Sequence, residues 1–183
     1  MSGITDHRTK STTRTESSPA DRGTTLAAVL GVTRLAMGWV FLWPFLDKTF
    51  GFGHETASAD AWIQGGSPTS GFLGHATSGP LAGFYQSIAG HAWADWLFML
   101  GLLGIGLALT LGVAGRLAAI AGGTLLVLLW SAVLPPANNP FLDDHIIYAL
   151  VLAILALSHA GATFGFASTW ERFGAVRRFG ILR

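Results

Sequence analysis

PPANNPFLDDHIIY, Pro135 to Tyr148, is the polar run on which the reading of the chain turns, because strongly apolar segments flank it on both sides. Pro135, Pro136 and Pro140 stop helix on one side, since proline lacks an N–H and its ring clashes with the preceding turn. Asp143 and Asp144 stand where the next helix begins, and carboxylates suit the unpaired N–H groups and positive dipole there. His145 and Tyr148 follow within the first turn, and their spacing puts them on one face. The run therefore predicts a hairpin between two apolar helices, with ionisable side chains at its tip.

The walls of that hairpin belong to a membrane protein. The 183 residues are 51% hydrophobic and only 11% charged, with a mean hydropathy of +0.50. A soluble domain carries about 25% charge. A net charge of +1 gives no electrostatic case for nucleic acid. The absence of Cys excludes disulfides, thiolate metal sites, iron–sulfur clusters and covalently attached haem. The 24 glycines suit a helix bundle with close backbone contacts.

Working outward, residues 1–23 are polar and Ser/Thr-rich and read as a disordered cytoplasmic tail. They lack the apolar stretch and small-residue cleavage site of a signal peptide. Spans are expected at about 24–46, 93–113, 117–134 and 144–160, near the roughly 20 residues a bilayer crossing needs. Arg34 lies inside the first. It reads either as a snorkelling or structurally paired side chain or as an intramembrane charge that meets a ligand. Residues 50–90 are too polar to span. Ser58–Gln64 carries a short helical pattern, and Pro80–Ala89 an amphipathic one through Leu81, Phe84, Tyr85 and Ile88. Gly104, Ala108 and Gly112, with Ala118/Gly122 and Ala119/Gly123, form rows of small residues suited to packing. His145 and His159 are nearly on one face, but haem would need second ligands on a facing helix, and no other span supplies them. His54 and His75 lack metal-like spacing, so no metal site is expected. Residues 170–183 form a short basic tail.

Four spans put both termini on one side. Arg8, Lys10, Arg14, Arg22, Arg116, Arg172, Arg177, Arg178 and Arg183 collect there, whereas the other side holds only Lys48. The positive-inside rule then places both termini in the cytoplasm and the hairpin outside a cell (inner, plasma) membrane. The predicted fold is an all-α four-helix transmembrane bundle with a long extracytoplasmic loop containing short interfacial helices. At its outer mouth meet Lys48 with Asp47, His91 with Asp95, and Asp143, Asp144 and His145. A plainer reading is that any bundle presents polar and Trp residues to headgroups.

Two stretches bear a family likeness. RLAMGWVFLWPFLDK, Arg34 to Lys48, resembles the first-helix pattern of the DoxX family: Arg, then Gly, Phe and a terminal Lys. NPFLDDHIIYALVLAILAL, Asn139 to Leu157, is similar to the last helix of its DoxD-like branch. The resemblance runs from about residue 30 onward. It implies a four-helix membrane bundle tied to redox chemistry, since DoxD is the large subunit of thiosulfate:quinone oxidoreductase. It further implies a membrane quinone as acceptor, and a small subunit or other redox-enzyme subunits, with membrane lipid, as partners. No catalytic residues come with it. From the residues themselves, His145 is expected to relay protons, with Asp143 or Asp144 orienting its ring. Lys48, His91, Arg34, Tyr148 and Trp130 are expected to bind substrate. The alternative is a non-catalytic membrane adaptor or assembly partner of an oxidoreductase complex.

Overall fold

Three stretches of the folded chain are both long and apolar enough to cross a membrane: Gly23–Phe50, Ala92–Leu111 and Gly115–Ala132. They belong to helices α1 (Pro19–Phe50), α3 (Ala92–Leu111) and α4 (Gly115–Ala132) of a computed structural model that describes residues 19–182. A short helix α2 (Ala82–Ile88) precedes α3, and α5 (Asp144–Leu157), α6 (Ala167–Trp170) and α7 (Gly174–Arg178) follow α4. Among the described residues helices are joined by turns and loops, and the one β element is an isolated bridge between Ser78 and Val133. Helix begins at Pro19, upstream of the expected start at Thr24; the rest of the expected tail, residues 1–18, lies outside the described residues.

Apolar side chains face both inward and outward. Met37 and Phe41 of α1, Met99 and Ile105 of α3, and Leu152 of α5 are buried in one core. Leu97 and Leu100 of α3, Ile120 and Val127 of α4, and Leu150 and Ile154 of α5 are exposed. In water such a surface would be an aggregation hazard, whereas against lipid tails it carries no cost. The chain is therefore a membrane protein by the length, composition and surface of its helices.

The close approach of α1 and α3 is made by Gly38 and Gly106. A Cβ at Gly106 would lie 2.6 Å from Leu42 Cγ, and one at Gly38 would lie 2.5 Å from Thr110 Oγ1. Of the expected row Gly104, Ala108 and Gly112, a Cβ at Gly104 would meet nothing within 4 Å, whereas one at Gly112 would lie 2.8 Å from Gly161 O. Gly122 does pack closely, against Leu152, Ile105 and Phe41, while Gly123 faces open space.

The last long helix is shorter than expected. α5 has 14 residues, or about 21 Å at 1.5 Å per residue, against a hydrocarbon core of roughly 30 Å. It ends at Leu157 rather than Ala160, and His159 takes a left-handed conformation with φ +53°. The segment just beyond α5 is held by Arg34. This buried side chain donates from Nε to Ala160 O (3.3 Å), from Nη1 to Leu109 O and to Thr110 O (3.0 Å), and from Nη2 to Thr163 O (3.1 Å) and Phe164 O (2.9 Å). The fork of donors thus covers Thr110 O near the end of α3 and carbonyls just past α5, and shares Leu109 O with the Gly112 N–H.

At the opposite end, two buried carboxylates fasten residues 51–91 onto the helices. Asp47 Oδ2 accepts from the Glu55 N–H (3.0 Å) and the Thr56 N–H (2.9 Å). Asp95 Oδ1 accepts from Ser67 Oγ (2.8 Å), Thr69 Oγ1 (2.6 Å) and the Thr69 N–H (3.0 Å). Thus Asp47 binds loop backbone rather than Lys48, and Asp95 binds Ser67 and Thr69 rather than His91. Tyr85, buried on α2, donates to Leu128 O (3.0 Å) and ties the loop to α4. Asp95→Ala is expected to cost about 1–3 kcal/mol, the penalty for leaving buried donors unpaired. Limited proteolysis should then cut near residues 67–70 well before the wild type is cut.

Candidate functional site

The hairpin tip is built by local hydrogen bonding. Asn139 Oδ1 accepts from the N–H groups of Phe141 (3.0 Å) and Leu142 (3.2 Å), closing a side-chain turn. Asp143 then caps α5, its Oδ1 accepting from the Ile146 N–H at 3.4 Å. Its other oxygen meets His145 Nδ1 at 2.8 Å. One carboxylate therefore starts the helix and orients the imidazole. With Nδ1 held as the donor, Nε2 is the nitrogen left for chemistry.

A cavity of about 300 Å³ opens beside this first turn. Lys48, Asp144, His145 and Tyr148 line it, with Glu55 from the loop. Its walls are apolar: Phe41 and Pro44 of α1, Phe98 and Leu102 of α3, and Leu125, Leu126 and Leu129 of α4. Phe72, in a π-helical turn over Phe72–Ala76, closes it from the loop side. The Lys48 side chain is 14% exposed and lies 3.6 Å from the Glu55 carboxylate, which is 73% exposed. An ion pair so open to solvent on one side contributes little and yields to a competing anion. The arrangement is a mostly apolar slot with a cation, an oriented imidazole and a phenol at one end. Such a slot suits a flat apolar molecule with hydrogen-bonding oxygens.

Not every expected site residue is here. Arg34 lies about 21 Å along α1 from Lys48 at 1.5 Å per residue, engaged with five carbonyls at the other end of the helices. His91 is exposed at the start of α3, outside the cavity lining. Trp130 also stands outside it and donates from Nε1 to Phe141 O at 3.2 Å, bracing the hairpin. Asp143 acts through His145 rather than by lining the cavity. Asp143, Asp144 and His145 bring one potential ligand atom each within 4.8 Å of one another. Helix capping and the Asp143–His145 contact account for that cluster.

Glu55 and Phe72 had no place among the expected site residues. Gly51 and Gly53, both at positive φ, let the chain reverse after α1 and bring Glu55 back to Lys48. The spacing of glycines in GFGHE, 51–55, was the available signal. Phe72 has none, because its position depends on the Asp95 anchor on another element. Compared with known proteins, the chain matches no family model, no curated protein and no solved structure.

Proposed function

We propose that this chain is a DoxX-like membrane subunit that binds a quinone head group in the Lys48–His145 cavity. There it couples quinone reduction to oxidation of a small reduced sulfur anion such as thiosulfate. The observation that carries this reading is the meeting of Lys48, Tyr148 and the Asp143-oriented His145 inside apolar walls. In this reading α5 is a short fourth membrane helix, completing a four-helix bundle. The basic residues Arg116, Arg172, Arg177 and Arg178 lie at the end away from Lys48, which by the positive-inside rule favours an extracytoplasmic cavity in the plasma membrane.

Lys48 attracts the anion, which competes with Glu55 for the ammonium group. Two thiosulfates each give up one electron and join through a new S–S bond as tetrathionate. The quinone takes both electrons and two protons. His145 delivers a proton from Nε2 while Asp143 holds Nδ1, and Asp144, largely exposed, connects the imidazole to water. Tyr148 supplies a second hydrogen bond to the ring oxygens.

The test is thiosulfate-dependent reduction of a short-chain quinone by the protein purified with its co-purifying subunits. Turnover that requires both substrates is expected. Quinone binding without turnover would contradict the reaction and support the adaptor reading instead.

A further inference from the structure

A second cavity of about 330 Å³ lies beside the first, between α3, α4 and the loop. The two share four wall residues: Phe72, Phe98, Leu125 and Leu129. Their chemistry is divided sharply. Lys48, Glu55, Asp144 and His145 all line the first, whereas the second has no Asp, Glu, Lys, Arg or His in its lining. Two of its polar groups are already engaged. Tyr85 donates to Leu128 O, and Thr69 Oγ1 is held by Asp95 and the Gly90 N–H. Its rim includes Trp93 and Leu97, which are 57% and 67% exposed on the lipid-facing side of α3. Its interior is kept open at Gly101, where an added Cβ would meet nothing within 4 Å.

From this adjacency we infer that the second cavity holds the isoprenoid tail of the molecule whose head group occupies the first, so that the protein selects tailed over tailless quinones. The inference rests on the quinone reading above. A charge-free chamber that adjoins a polar one and opens toward lipid fits an amphiphile with one apolar chain. The tail enters past Trp93 and Leu97, and Phe72 and Phe98 mark the junction between head and tail. In a bilayer the tail is already out of water, so the chamber favours it through close packing against its walls rather than through the hydrophobic effect.

Gly101→Leu tests this directly. It adds bulk to the chamber at a point where a Cβ meets nothing within 4 Å, and it replaces a poor helix former with a good one. Gly104→Leu is the control, because that residue also faces open space on α3 but does not line the chamber. Binding of a two-isoprene quinone and of the same head group without a tail is measured on the purified full chain, with thermal melting to confirm folding. In wild type and Gly104→Leu the tailed quinone is expected to bind at least about tenfold tighter. In Gly101→Leu that preference should vanish, with tailless binding unchanged. An intact preference in Gly101→Leu overturns the tail site. If native mass spectrometry then shows a phospholipid held by wild type and lost in Gly101→Leu, the chamber belongs to an acyl chain. Failure of wild type to bind either quinone overturns the head-group reading itself.

Discussion

Replacing Arg34 with Ala is expected to destabilise the protein by about 3–5 kcal/mol, the range for removing one member of a buried charged hydrogen-bond set. The guanidinium donates to Leu109, Thr110, Ala160, Thr163 and Phe164, and all five acceptors are backbone carbonyls. Without it the end of α3 and the segment after α5 lose their common partner. Thermal unfolding in detergent should show a much lower midpoint, and hydrogen exchange should rise first around residues 158–166. Arg34→Lys should recover only part of the loss, because an ammonium has three donors on one atom and no planar fork. A midpoint for Arg34→Ala equal to that of wild type would show that the five carbonyls do not depend on this side chain.

Replacing His145 with Ala is expected to lower quinone reduction by about 10²–10⁴-fold, the usual contribution of a positioned acid–base group. The fold should survive, because the side chain is 25% exposed and contributes no core packing. Asp143→Asn separates positioning from capping. Asn caps a helix about as well as Asp, so stability should hold while the imidazole loses its carboxylate partner. Activity should fall less than in His145→Ala, and its pH profile should move. Lys48→Ala should raise KM for the anionic donor far more than it lowers kcat, and should weaken the salt dependence of the reaction. Wild-type rates in both His145→Ala and Lys48→Ala would remove the proposed site.

The three long helices were legible because length and apolar content alone decide a membrane crossing. The meeting of Lys48 with His145 and Tyr148 was legible for a related reason: counting spans put those helix ends on one side. The end of α5 was not. The segment just beyond it is held by contacts between Arg34 and carbonyls 126 to 130 positions away, and backbone acceptors leave no mark in the amino-acid pattern. The same holds for Asp47 and Asp95, whose partners are loop groups rather than the neighbours Lys48 and His91. The expected small-residue row of Gly104, Ala108 and Gly112 named no partner helix, and Gly106, not Gly104, is the glycine that meets α1. Both belong to a glycine-rich stretch, and only the partner helix tells which one faces it.

The cavity itself is tested most directly by photolabelling with a light-activated quinone, followed by peptide mapping. Labels are expected on Phe41–Lys48 of α1 and on Asp144–Tyr148 of α5, and excess unlabelled quinone should remove them. Labelling confined to other segments, or labelling that unlabelled quinone does not displace, would contradict a quinone site between these helices.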